Sequence, residues 1–222
     1  MKRNFFIYLL IFIVIILAGT CVFLFYKYET KKCVTIKNEV KDILNPNYVF
    51  LGDSITDFYD LSKYYEGLPI VNSGINGNST KDILENMQDR VYRYNPSKVI
   101  ILIGVNDVVY DISMDETISN IDKIIKGIKN NLPNCEIYVE SIYPVNHDIR
   151  RNNAGNRENS DIKEINEKLE DYCEDNDITY IDMYDLLKDD DDNLKEEYTK
   201  DGLHLSDKGY EVVTKEIKQI IS

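Results

Sequence analysis

The hydrophobic and polar positions of this chain divide it into two unlike stretches. From Phe5 to Tyr26 the residues form one nearly uncharged apolar block, FFIYLLIFIVIILAGTCVFLFY. As a helix rising about 1.5 Å per residue it would reach roughly 33 Å, enough to cross a bilayer core. The pattern therefore predicts a single N-terminal membrane-spanning helix at about 5–26, within an anchor segment 1–32. A cleaved signal peptide is the weaker alternative, because more apolar chain follows the small residues Ala18, Gly19 and Thr20. A lipoprotein signal ending at Cys21 is weaker again, since Thr20 stands where a smaller residue is expected. Residues 33–46 form a charged connector ending at Asn45-Pro46, and the domain proper covers 47–222.

In that domain short apolar runs alternate with segments of helical period. Runs at 48–51, 70–72, 98–103, 136–142 and 179–181 read as strands. Between them, Thr80 is placed to cap a helix carrying Ile83, Leu84, Met87 and Val91. Ile118, Ile121, Ile125 and Ile128 mark the next, and Ile162, Ile165, Leu169 and Tyr172 another. A last helix follows Ser206, with Val213, Ile217 and Ile220 in register. Strands alternating with helices predict a three-layer α/β domain whose parallel sheet is covered on both faces.

Charge narrows the partners. The 222 residues carry 26 Lys+Arg and 39 Asp+Glu, a formal net charge of -13. Phosphate backbones need a basic surface, so nucleic acid is excluded as a partner. Residues 33–222 keep 21 basic and 38 acidic residues, so membrane attachment would come through the N-terminal helix and not through the domain surface. The basic residues Lys2 and Arg3 nearly balance Lys27, Lys31 and Lys32 across the block. The short N-terminal tail reads as lying inside, which puts the domain outside the cytoplasm. Ala occurs only at 18 and 154 beside abundant Ile, Lys and Asn, the mark of an AT-rich coding sequence of bacterial type. Cys33, Cys135 and Cys173 match neither a zinc site nor a C-x-x-C pair; Cys135 and Cys173, in apolar-patterned segments, read as buried free thiols ahead of a disulfide.

Candidate chemistry lies where an open parallel sheet binds its ligands, beyond the carboxyl ends of its strands. With strand order 2-1-3-4-5, the segments following the first three strands are neighbours. They read Gly52-Asp53-Ser54-Ile55-Thr56, Ser73-Gly74-Ile75-Asn76-Gly77 and Gly104-Val105-Asn106-Asp107. A serine attacks a carbonyl when a base takes its proton and donors meet the oxyanion. Ser54 is the candidate nucleophile. The backbone N–H groups of Ser54 and Gly74 and the Asn106 amide are the candidate oxyanion donors, and Asp107 reads as structural. Asp201-Gly202-Leu203-His204 supplies a base, His204, with Asp201 three residues before it to hold the ring tautomer. The other histidine, His147, falls in a polar loop. Arg150, Arg151 and Arg157 in the loop 146–159 are candidates for meeting an anionic substrate group, beside the plainer reading of a solvated loop. The acidic run 189–192 reads as a solvated turn.

These blocks, Gly52-Asp53-Ser54, Gly74, Gly104-x-Asn106-Asp107 and Asp201-x-x-His204, resemble those of the SGNH (GDSL) hydrolases, in that family's order from about Tyr48 to the C-terminus. The first block has Ile55 where the family pattern has Leu. The resemblance implies a flavodoxin-like sheet, no cofactor and no metal, and hydrolysis of carboxylic esters or thioesters through an acyl-serine. It also implies Ser54, Asp201 and His204 as catalytic residues, with Ser54, Gly74 and Asn106 forming the oxyanion hole. Acetyl esters of carbohydrate at the cell envelope are the leading substrate expectation. Lysophospholipid or thioester hydrolysis and O-acetyl transfer through the same acyl-serine are alternatives, and a non-catalytic envelope-binding protein is the reading of a different class. Oligomeric state is left open.

Overall fold

The computed structural model describes residues 19–32, 48–149 and 153–221. The chain divides into two compact units, Met1–Leu44 and Asn45–Ser222. In the first, residues 19–32 are helical, and Val22, Phe23, Leu24 and Phe25 are exposed. Most of the segment predicted to span the membrane, 5–18, lies outside the described residues. Among the described residues no helix is long and apolar enough to cross a membrane. Cys33 also lies outside them, and Cys135 and Cys173 are free thiols.

The second unit is built on five parallel strands, β1 (Tyr48–Gly52), β2 (Ile70–Gly74), β3 (Lys98–Leu102), β4 (Glu136–Glu140) and β5 (Thr179–Ile181), in the order β2-β1-β3-β4-β5. All five predicted strands form. Their side chains alternate between two cores, as period-2 pleating requires. Val49, Leu51, Val99, Ile101, Ile137 and Val139 face one core, while Phe50, Ile100, Leu102 and Tyr138 face the other. On the first side pack α1 (Thr80–Glu85), α2 (Met114–Asn131) and the Leu169 and Cys173 end of α3 (Asn159–Asp175). On the second pack Tyr210, Val213, Ile217 and Ile221 of α4 (Asp207–Ile221).

Two local predictions need correction. The α1 cap is Ser79 and not Thr80: the Ser79 side chain meets the Asp82 N–H while the Asp82 carboxylate reaches back to the Ser79 N–H at 2.8 Å, a capping box. Thr80 is instead drawn to Asp107, which accepts its N–H at 3.1 Å and its hydroxyl. The helix predicted through Val91 is broken at Asn86, so that Met87–Arg90 is a separate turn. The acidic run forms a turn in which Asp189 Oδ1 accepts the Asp191 and Asn193 N–H groups at 2.9 Å, and Asp192 pairs with Lys163 and Lys188.

Register places the site. Gly52 at the end of β1 stands level with Gly74 of β2 and Leu102 of β3, so the three segments that follow open onto one rim.

Glu140 is one buried acid that makes the stability of the domain depend on pH. Glu140 ends β4 at 3% exposure and accepts a 2.5 Å hydrogen bond from Tyr143 Oη. Burial pushes its carboxyl from 4.5 to about 7. Below its unfolded pKa the group is protonated in both states and contributes nothing. As pH rises to about 7 the unfolded chain ionises first, so folding loses stability, on the order of 3 kcal/mol in full. Glu140→Gln should leave the urea midpoint unchanged near pH 4 and raise it at pH 8, and an equal effect at both values would contradict this account.

Candidate active site

Ser54 opens a short helix, Ser54–Asp57, directly after β1. Asp53 caps it, its Oδ1 accepting the Ile55 N–H at 2.9 Å. Tyr210 of α4 donates to the Ile55 carbonyl at 2.6 Å and ties this turn to the far end of the chain. Ser54 is nearly buried, and its own backbone N–H makes no hydrogen bond in the structure.

The segment 199–205 carries the other half. Thr199 Oγ1 donates to the His204 carbonyl at 2.8 Å and accepts the Gly202 N–H at 2.9 Å, closing the turn. Asp201 Oδ1 accepts the Leu203 and His204 N–H groups at 3.1 and 2.8 Å. Its Oδ2 lies 2.8 Å from His204 Nδ1, and His204 Nε2 lies 3.0 Å from Ser54 Oγ. An ionised carboxylate only accepts, so the ring proton sits on Nδ1 and Nε2 accepts from the serine. Burial alone would raise the Asp201 pKa. The hydrogen bonds from His204, Asn153 and Leu203 outweigh it and hold the carboxyl below its usual range.

Residues 150 positions apart in the chain are thus adjacent: Ser54, His204 and Asp201 form one hydrogen-bonded chain. Asn106 is brought to the same rim after β3, 4% exposed, with Nδ2 donating to the Asn78 carbonyl at 2.9 Å and its second proton unengaged. Asp107 is held by Thr80 and Thr117 beneath the rim, as its structural reading requires.

Gly74 differs from expectation. Its N–H donates to Asn72 Oδ1 at 2.8 Å and is not open to a ligand. The position requires glycine for another reason: a Cβ there would lie 2.1 Å from the Asp57 nitrogen, so the loop after Ser54 packs directly on this backbone. Three residues on, Gly77 carries an N–H without a hydrogen bond, in a loop joined to the rim by Tyr110 Oη on the Gly77 carbonyl at 3.1 Å.

Sequence reasoning missed Arg90 and did not foresee that Arg157 is buried. Arg90, 5% exposed, donates to the carbonyls of Ser73 and Gly52 and to Asn78 Oδ1, bracing the ends of β1 and β2. Arg157, 7% exposed, is turned inward and is not the solvated loop residue that its polar surroundings in the sequence suggest. It donates to Val105 and Ala154 carbonyls and to Asn106 Oδ1. Arg150 and Arg151 lie outside the described residues. His147 Nε2 contacts the Arg157 carbonyl at 2.8 Å. No sequence signal separates such arginines from solvated ones, because most of their partners, backbone carbonyls and the side chains of Asn78 and Asn106, come from other segments. Asp53 is the other charged group here. Burial raises its carboxyl to about 7 against the opposing effects of the Ile55 N–H and the Arg157 charge, and its Oδ2 has no hydrogen-bond partner.

Beside His204 opens a cleft of about 320 Å³ whose walls include Phe58, Lys63, Tyr64, Lys200 and Asp207. The Phe58 ring is half exposed and lies 4.9 Å from the His204 ring.

An N-acylneuraminate cytidylyltransferase of Escherichia coli O18:K1:H7 is 31% identical over 173 residues, covering 77% of this chain and 39% of that protein. The chain thus spans about two fifths of that relative's length, and 34% of the Streptococcus agalactiae enzymes of the same name. A solved structure from Streptococcus pneumonia, whose name links it to platelet activating factor, superposes with a TM-score of 0.77 at 31% identity, over 92% of this chain and 99% of that one. A GDSL-like lipase from Bacteroides thetaiotaomicron superposes with a TM-score of 0.70 at 25% identity, over 86% and 96%. The model of the GDSL-like lipase/acylhydrolase family matches residues 50–212, the span that holds the sheet and the whole rim. By that match this chain belongs to the GDSL-like lipase/acylhydrolase family.

Proposed function

We propose that the protein is a serine esterase that removes acetyl or other short acyl groups from carbohydrate at the cell envelope, through an acyl-serine. The observation that carries the mechanism is the continuous chain from Ser54 Oγ to His204 Nε2 at 3.0 Å and from Nδ1 to Asp201 at 2.8 Å. Ser54 Oγ attacks the ester carbonyl as its proton passes to Nε2, and Asp201 stabilises the imidazolium. The oxyanion is met by the Ser54 N–H, the free Asn106 Nδ2–H and the Gly77 N–H, which replaces Gly74 because Gly74 is engaged by Asn72. Collapse breaks the ester C–O bond, and the leaving alcohol takes the proton from His204. Water, deprotonated by the same imidazole, then cleaves the acyl-serine to release the acid and restore Ser54.

The substrate class is supported by the cleft beside His204. Seating an alkyl chain among Lys63, Lys200 and Asp207 would strip water from three charged groups without replacing it, whereas hydroxyls can hydrogen-bond to them. The exposed Phe58 ring offers a flat apolar face of the kind sugar C–H groups pack on. Relatives named for an N-acylated sugar acid support the same choice. Attachment to the membrane, with the domain outside the cytoplasm, is supported by the apolar block and by exposed Val22 to Phe25.

Hydrolysis of p-nitrophenyl acetate, butyrate and octanoate by the full chain, beside acetate release from acetylated oligosaccharides, tests the substrate half. Acetate should be preferred and released from the sugar. Preference for octanoate would overturn the carbohydrate assignment. Fractionation tests the anchor: the full chain should sediment with membranes, and recovery in the soluble fraction would contradict it.

A further inference from the structure

We infer that Arg157 is a positioning residue that sets the orientation of the Asn106 amide and so aims its N–H into the oxyanion hole. The inference rests on the esterase reading above. An asparagine amide has nearly the same shape in its two flipped orientations, and nothing in its packing distinguishes oxygen from nitrogen. The flipped form would turn a carbonyl oxygen toward a developing negative charge. Orientation must therefore come from the partners. Arg157 Nη2 donates to Asn106 Oδ1 at 2.7 Å, and a guanidinium has no acceptor, so only oxygen can face it. On the other side the Asn78 carbonyl, which only accepts, takes an Nδ2 proton at 2.9 Å. Both partners select the same orientation.

The guanidinium is itself held by backbone. Nε donates to the Val105 carbonyl at 2.8 Å and Nη1 to the Ala154 carbonyl at 2.9 Å. The chain folds back at Gly155, whose φ of +64° belongs to the left-handed region that glycine enters without strain. The same loop also serves the acid: Asn153 donates its side-chain N–H to Asp201 Oδ2 at 2.8 Å and its backbone N–H to the Asp201 carbonyl at 2.8 Å. A charged donor on Oδ1 further polarises the amide and strengthens Nδ2–H as a donor, in a site with little water to screen it.

The test is a double-mutant cycle on the full chain with p-nitrophenyl acetate. Asn106→Ala should lower kcat by about 10²- to 10³-fold. Arg157→Gln should lower kcat by about 10- to 100-fold with KM little changed, because its effect reaches the substrate only through the transition-state donor. In the Asn106→Ala background, Arg157→Gln should cost nothing further. Arg157→Lys, which keeps the charge but cannot span three acceptors, should fall between wild type and Gln. Retention of wild-type kcat by folded Arg157→Gln, or losses that multiply in the double variant, would overturn the inference. If Gln at 157 prevents folding, the cycle is run with Lys and the same two outcomes decide. A wild-type protein without Ser54-dependent turnover would instead remove the esterase reading itself.

Discussion

Ser54→Ala and His204→Ala should each lower kcat by about 10⁶-fold, and the double variant should be no slower than either single one. The reason is that the two side chains perform one act. Ser54 Oγ is 3.0 Å from His204 Nε2, so without the base the hydroxyl stays protonated, and without the hydroxyl the base has no nucleophile to activate. What survives is the oxyanion hole and binding, which neither change touches. Folding should be little affected by Ser54→Ala, since the nearly buried hydroxyl has His204 as its hydrogen-bond partner. Steady-state kinetics with a fluorophosphonate probe gives the check. Wild type should be labelled and Ser54→Ala should not, while multiplicative losses in the double variant would mean that the two residues act in separate steps.

The second large effect is expected at Asp201. Asp201→Asn should lower kcat by about 10⁴-fold while leaving the fold intact. The new Nδ2–H would face His204 Nδ1, which could only accept, and the ring proton would move to Nε2. Nε2 could then no longer take the proton from Ser54. Asn Oδ1 can still accept the Leu203 and His204 N–H groups, so the 199–205 turn keeps its bonds. Asn153 would lose its acceptor at Oδ2, which adds a small structural cost visible as a shift in melting temperature. A loss below about tenfold would show that the carboxylate orients nothing that matters to the reaction and would reassign Asp201 to the turn alone.

These two expectations depend on residues that were readable as separate signals. Gly52-Asp53-Ser54 announces a tight strand-to-helix turn, and Asp201-x-x-His204 is local enough for its pairing to follow from spacing. The joining of the two across 150 positions of chain follows from strand order, which sets β1 at the middle of the sheet and brings α4 over the Ser54 turn through Tyr210. Asn106 was readable because it follows a strongly apolar strand at the end known to bind ligands. Its orientation was not, because that depends on Arg157 and Asn78, each contributed by another loop.

The errors have the same origin. Gly74 suggested an open N–H, since glycine is the residue that leaves backbone accessible. In the structure the glycine is required by contact with the Asp57 backbone, and the N–H is taken by Asn72. Thr80 suggested a cap, but Ser79 caps and Thr80 serves Asp107. Arg157 suggested solvent or a substrate anion, and it is buried on carbonyls.

Hydrophobic patterning alone determined the alternation of strands and helices, because a sheet covered on both faces needs strands that are apolar throughout, while each covering helix needs one apolar stripe at a period of about 3.6. Spacing alone likewise paired Asp201 with His204. Only the tertiary structure decided which backbone N–H groups are free, which way the Asn106 amide faces and where two arginines place their charge. Those outcomes depend on hydrogen-bond partners brought together from distant segments, and a carbonyl looks the same in every residue of a sequence.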